Sequence, residues 1–218
     1  MTTAVIASAG SGNRFNGGDG KALASVLGEP LFIYSVRIFD QIDEISNIII
    51  VAREEDIIPM YNILADYDFS KPINIVSGGE TRGESVKRAL EFVPTERVLL
   101  HDAARPCVDI DTIINAMNAG ENVCVVNKLH GTIHKTSSDL VEEVVDRSKL
   151  YEAQTPQIFN TDSLKAAYDN LGTEHTDDAS LVAQNGEPVK LFIGRPDNIK
   201  ITTQDDLCLA EAVLSRKG

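Results

Sequence analysis

Four short, mostly apolar runs constrain this chain most: residues 3–8 (TAVIAS), 47–52 (NIIIVA), 73–77 (INIVS) and 97–101 (RVLLH). They are apolar on both faces, as strands buried in a parallel sheet must be, whereas a half-solvated strand would alternate. Residues 31–39, 56–66 and 84–92 separate them and carry apolar positions at helical spacing. Repeated strand–helix–strand order predicts an α/β fold, a doubly wound and mainly parallel sheet with helices on both faces. Ligands of such sheets gather at the carboxyl ends of the strands, so the segments after each run are where chemistry is expected.

The pattern changes after Val126. Residues 127–147 are polar and β-leaning, with turn residues at Gly131 and at 137–139 and a strand-like run at 140–145. This predicts a projecting hairpin, not another βα unit or a disordered linker. Helical periodicity returns at 162–170 and 177–184, and a strand at 189–193 and a helix over 204–215 follow. With no internal repeat, low-complexity tract or linker, residues 1–218 are expected to form one domain carrying an arm at about 127–150.

Net charge is −13, from 20 basic and 33 acidic residues, which argues against a nucleic-acid-coating surface. An acidic chain that binds polyphosphate must place its few cations deliberately, because its overall field repels the ligand. The cysteines Cys107, Cys124 and Cys208 are odd in number and far apart, so reduced structural thiols are expected rather than a disulfide framework or a zinc site. No apolar run reaches membrane-spanning length, and the first residues lack a basic segment followed by a long hydrophobic one, so a cytoplasmic location is expected.

Ala9-Gly10-Ser11-Gly12-Asn13-Arg14 directly follows the first run. Glycines there let successive backbone N–H groups approach an anion. A dinucleotide fingerprint would need Gly or Ala where Phe15 stands, and a Walker loop would need Ser or Thr where Ala22 follows Lys21. Both fail. What remains is a glycine turn with Arg14 and Lys21 on a long loop, readable as an anion nest or as a solvated turn with two surface cations.

Further segments bear on that choice. Gly78-Gly79-Glu80-Thr81-Arg82-Gly83-Glu84-Ser85-Val86 follows the third run, and His101-Asp102-Ala103-Ala104-Arg105-Pro106 ends the fourth. Downstream stand Asp146-Arg147, Thr155-Pro156-Gln157, Thr176-Asp177-Asp178 and Asn198-Ile199-Lys200-Ile201-Thr202. In this order and spacing the set resembles the 2-C-methyl-D-erythritol 4-phosphate cytidylyltransferase family over essentially the whole chain. The resemblance implies a Rossmann-like domain whose β-arm reaches across a homodimer, acting on CTP and a polyol phosphate. It implies that Ala9, Gly10, Gly12, Arg14 and Lys21 hold the triphosphate. Gly79, Glu80 and Ser85 would line the cytosine pocket, and Ala103 and Arg105 would close on base and ribose. Asp102 would stand near the sugar phosphate and a Mg²⁺ held mainly by CTP phosphates. Thr132 and Arg147, from the partner subunit, would meet the substrate with Thr155, Thr176 and Lys200.

In that reaction a substrate phosphate oxygen attacks the α-phosphorus of CTP and expels pyrophosphate. The nucleophile is already an anion, so cations that offset repulsion between two phosphates matter more than a general base. Arg14, Lys21 and Lys200 are the catalytic candidates, with Arg147 as a further cation. Asp102 ends a buried strand, where a lone carboxylate is costly; it is read as functional, against a helix cap or a pair with Arg105. His101 is read as packing. His130 and His134 stand on a non-helical arm, and no metal site is expected there. Ser85 and Glu80 could instead belong to a helix start capped by Thr81 or Gly83, and Thr155 and Thr176 could be turn or cap residues.

This chain departs from the family pattern at Gly20 (usually Pro), Ala22 (usually Gln) and Gly131 (usually Asp). The last bears on the polyol, and ribitol 5-phosphate is the alternative substrate. A binding module without catalysis is disfavoured by the four cations, and a nicotinamide oxidoreductase fails at Phe15.

Overall fold

A computed structural model describes residues 1–10 and 23–216. The first half runs β1 (Thr2–Ala7), β2 (Ser25–Val26), β3 (Glu29–Pro30), α1 (Leu31–Asp40), β4 (Ile45–Ala52), α2 (Glu54–Leu64), β5 (Ile73–Ser77), α3 (Arg82–Leu90) and β6 (Arg97–Asp102). The second runs α4 (Ile110–Ala119), β7 (Val123–Lys128), β8 (Ile133–Lys135), β9 (Glu143–Val145), β10 (Tyr151–Asn160), α5 (Thr161–Leu171), α6 (Asp178–Gln184), β11 (Lys190–Ile193) and α7 (Gln204–Leu214).

Among the described residues, seven strands form one sheet in the order β11-β7-β10-β6-β1-β4-β5. β1 pairs in parallel with β4 and β6, β4 with β5, and β11 with β7; β10 runs antiparallel between β6 and β7. The fold is thus mixed α/β around a mostly parallel sheet. Strand alternation divides the core. Ala4, Ile6, Ile48 and Ile50 pack on α1, α2 and α4 through Phe32, Phe39, Met60 and Ile113. Val5, Ile49, Val51 and Leu100 pack on the opposite face against α3, α5 and α6 through Val86, Leu164 and Leu181. Runs apolar at every position are the sequence trace of this two-sided burial.

The four predicted strands appear within two residues of their expected limits. β10 has no counterpart in the apolar pattern, because Glu152, Gln154, Thr155, Pro156 and Gln157 break any apolar period and Pro argues against a central strand. The ladder accommodates Pro156 where the pairing with β7 shifts register between Ala153 and Gln157; the Thr155–Pro156 peptide is cis.

β8 and β9 form a separate antiparallel hairpin, pairing Ile133 with Val145 and Lys135 with Glu143. This is the projecting hairpin expected from the polar, turn-rich sequence. Leu140, Val141 and Val144 stand exposed on it. Cys107 and Cys124 are buried and Cys208 is exposed. No described helix is long and apolar enough to cross a membrane.

Candidate active site

The chain builds outward from β1 to β4 and β5, then crosses to β6 on the other side of β1. The segments that leave the carboxyl ends of β1 and β6 therefore run to opposite sides, the switch point at which a doubly wound sheet is expected to place its ligand crevice. The turns there are pinned to neighbouring strands: Ala103 N donates to Ala7 O at 3.0 Å, Ser8 N to Val51 O at 2.9 Å and Gly78 N to Ala52 O at 2.8 Å. Ala9 and Gly10 leave β1 at this edge. A Cβ at Gly78 would lie 2.5 Å from the Ala9 Cβ, so glycine is what lets the β5 turn sit against the β1 turn. Gly12, Arg14, Gly20, Lys21 and Ala22 lie outside the described residues.

The turn after β5 is tied down by the start of α3. The Thr81 hydroxyl caps the helix by accepting from Glu84 N at 3.1 Å, and the Glu84 carboxylate accepts from Glu80 N at 2.8 Å. The buried Ser85 hydroxyl accepts from Gly79 N at 3.0 Å and donates to Thr81 O at 2.8 Å. Ser85 thus shapes the Gly79–Glu80 backbone, while the Glu80 side chain is exposed.

Asp102 stands nearly buried at the end of β6. Lys200 Nζ lies 2.6 Å from its Oδ2 and Arg82 Nε 3.6 Å from its Oδ1. Burial pulls the carboxyl upward, but Arg82 and then Lys200 outweigh burial and hold it well below the usual carboxylate range. Neither structural alternative for Asp102 is realised. Asp109 caps α4, accepting from Thr112 N at 2.9 Å, and the Arg105 Nη1 donates to Asn198 O at 2.8 Å.

Lys200 reaches Asp102 because the segment around it is strapped across the strand ends. Ile201 N donates to Ala104 O, and Asn198 Nδ2 to Thr155 O, both at 2.8 Å. The NIKIT motif is thereby explained by two roles, bracing by Asn198 and Ile201 and presentation of one cation between them.

The Thr155 hydroxyl accepts from Asp102 N at 3.0 Å and lies 3.1 Å from His101 Nδ1. With that hydrogen spent on Nδ1, the neutral ring donates from Nε2 to Arg105 O at 3.1 Å. Burial pushes the His101 pKa down to about 4. The folded form therefore resists a proton that the unfolded chain takes up near pH 6.5. Stability is full above that pH and declines as pH falls toward 4, by roughly 3 kcal/mol from this group. His101→Gln is expected to flatten the dependence of the melting temperature on pH between 6.5 and 4; an unchanged slope would exclude His101 as its source.

Thr176 is exposed just before α6, whose cap is Asp177, accepting from Ser180 N at 2.9 Å. Gln157 holds this turn to β10, accepting from Ala179 N at 3.0 Å. Thr132 and Arg147 are exposed on the arm, where the Arg147 guanidinium donates to His130 O. Among the described residues, no hydrogen bond or ion pair joins either to Asp102. Arg147 instead lines a cleft of about 390 Å³ at the base of the arm, with Lys128, Asp146 and Tyr151. Sequence reasoning passed over Arg82, Asp178 and Gln157. All three lie inside the quoted motifs, and an arginine in a glycine-rich turn of an acidic chain was the available signal. The described residues contain no group of three or more His, Cys, Asp and Glu placed to hold a metal.

Residues 2–216 match the family model described as IspD: 2-C-methyl-D-erythritol 4-phosphate cytidylyltransferase. The chain is 40% identical over 221 residues to the protein of that name from Dehalococcoides mccartyi, covering 99% of this chain and 96% of the relative. It is 38% identical to the one from Clostridium acetobutylicum, covering 100% and 99%. The crystal structure of 4-diphosphocytidyl-2C-methyl-D-erythritol synthase from Anaerococcus prevotii superposes with a TM-score of 0.86 at 31% identity, over 99% of this chain and 96% of that one.

Proposed function

The chain belongs to the 2-C-methyl-D-erythritol 4-phosphate cytidylyltransferase family, and from that premise we propose how its residues divide the work. The reaction transfers CMP from CTP to 2-C-methyl-D-erythritol 4-phosphate, a step of non-mevalonate isoprenoid synthesis, and releases pyrophosphate. The carrying observation is the Lys200–Asp102–Arg82 cluster at the β1/β6 crevice, beside the turn that leads into Arg14 and Lys21.

Arg14 and Lys21 offset charge on the triphosphate, with the Ala9, Gly10 and Gly12 backbone as further donors. Lys200 offers its ammonium to the polyol phosphate. Gly79, Glu80 and Ser85 form the cytosine side of the crevice, and Ala103 and Arg105 its ribose side. Thr155 supports Asp102, and Thr176 meets the polyol from the loop before α6. The chain acts as one nucleotidyltransferase domain, with the arm at about 127–150 bringing Thr132 and Arg147 to the site of a partner copy. A strand-end carboxylate such as Asp102 fits a Mg²⁺ bound mainly through phosphate oxygens, since that ion keeps few protein ligands. Such an ion, when bound, would neutralise charge on the triphosphate. A cytoplasmic location, where CTP is available, belongs to the same proposal.

Pyrophosphate release is expected with CTP, Mg²⁺ and methylerythritol phosphate, and to stop on chelation with EDTA. Ribitol 5-phosphate is the comparison substrate, because Gly131 replaces an arm residue usual in the family. Turnover with ribitol 5-phosphate alone would overturn the substrate. Arg147→Ala is expected to raise KM for the polyol phosphate about tenfold or more and leave KM for CTP nearly unchanged; an effect confined to CTP would refute its placement.

A further inference from the structure

Four charged side chains meet behind the end of β6, two cations and two carboxylates. Lys200 Nζ lies 2.6 Å from Asp102 Oδ2, and Arg82 Nε 3.6 Å from Asp102 Oδ1. The other end of the Arg82 guanidinium lies 2.6 Å from Asp178 Oδ2. Asp178 is fully buried, and its Oδ1 accepts from the Tyr168 hydroxyl at 2.5 Å. His175 Nε2 stands 3.3 Å beyond that hydroxyl. Arg82 is therefore anchored by its short contact to a fixed carboxylate, and its free edge reaches Asp102. A planar guanidinium presents separate N–H groups to the two acids, Nε to Asp102 and Nη1 to Asp178, where an ammonium offers one compact charge.

The arrangement has a consequence for Lys200. In this structure its ammonium is committed to Asp102. The side chain is 41% exposed and the ammonium has three donors, so it can turn toward a phosphate; doing so weakens its hold on a nearly buried carboxylate, which is strongly unfavourable if that carboxylate is left without a cation. Arg82 is the ion-paired cation that the fold itself leaves beside Asp102 when Lys200 moves. We propose that Arg82 is a positioning residue: it keeps Asp102 compensated while Lys200 transfers its ammonium to the substrate phosphate, and Asp178 fixes Arg82 for that task. This rests on the assignment of Lys200 to the polyol phosphate. Arg82 acts through Lys200 and touches no reacting atom.

A purely structural role predicts something else. Arg82 opens α3 directly after the Gly79–Glu80 turn, so simple support of that turn would register in KM for CTP. The test is a cycle of wild type, Arg82→Gln, Lys200→Gln and the double variant, assayed with CTP, Mg²⁺ and methylerythritol phosphate. Arg82→Gln is expected to lower kcat/KM for the polyol phosphate about 10²-fold while KM for CTP moves less than about threefold. Added to Lys200→Gln it should cost less than about threefold more, since residues acting through one another are not additive. Arg82→Lys, which keeps the charge and one contact, should recover about a tenth of wild-type activity; it also carries the test if Arg82→Gln folds poorly. Independent losses that multiply in the double variant, or a loss confined to KM for CTP, would overturn the proposal. A wild type and Lys200→Gln that behave as assigned, beside a fully active Arg82→Gln, would remove this inference alone. Absence of transfer by the wild type would remove the functional reading beneath it.

Discussion

Lys21→Ala is expected to lower kcat by about 10²–10³-fold while leaving the melting temperature unchanged. The reaction brings two phosphates together in a chain of net charge −13, so the surrounding field opposes both substrates. No proton needs to be removed from the attacking phosphate oxygen, and catalysis reduces to alignment and to cations placed where charge builds up on the α-phosphoryl group. Of the cations at the crevice, Lys200 is shared with Asp102 and Arg82 is tied to Asp178. Lys21, by contrast, comes from the glycine segment that would wrap the triphosphate. Stopped-flow pyrophosphate detection with saturating CTP gives the measurement. A kcat within threefold of wild type would remove Lys21 from the catalytic set.

Asp178→Ala is expected to have the largest effect on stability. Its carboxylate is fully buried, and removing it takes from Arg82 its shortest ion-pair contact and from the Tyr168 hydroxyl its acceptor. Breaking a buried pair from one side costs about 3–5 kcal/mol, which for a chain of this length lowers the melting temperature by roughly 10 °C. The pH dependence follows from the same contacts. Burial raises the Asp178 carboxyl, but Arg82, with His175 and Tyr168, outweighs burial and leaves it below the ordinary value. Its stabilising contribution is therefore present above the ordinary carboxylate range and is lost as pH falls through the lowered folded value. The gap between wild type and Asp178→Asn should be widest near pH 7 and narrow below about pH 4. A gap that widened on acidification would contradict this account of the ion pair.

Arg82 and Asp178 also illustrate how far motifs reach. Both stand inside segments that carry the family resemblance, yet neither has a local pattern that separates it from a helix start. Thr81 caps α3, one of the two caps its segment offered, and the helix start expected after Thr176 is present, with Asp177 rather than Thr176 as its cap. What a local reading could not contain is that the two helix starts converge on one side of β6. The Arg82–Asp178 pair spans 96 positions of sequence, and Lys200 meets Asp102 across 98. Thr155 is similar: its hydroxyl serves Asp102 N and His101 on a neighbouring strand, whereas the sequence offered only a turn or a substrate contact.

The sequence by itself determined the doubly wound sheet, because burial on both faces leaves strands apolar at every position and that signal survives without any neighbour being known. It likewise marked the arm, where polar residues and turn formers exclude a place in the core, and it named the family through segments with distinct chemistry. Tertiary structure alone decided the antiparallel course of β10, whose polar centre obeys the ladder and the NIKIT strap rather than a hydrophobic period. It alone decided the partners of Asp102 as well. A buried carboxylate takes whichever cations the fold delivers to it, and here its ion pairs come from the start of α3 and from the strap before α7, while the arginine three residues away turns its guanidinium to Asn198 O.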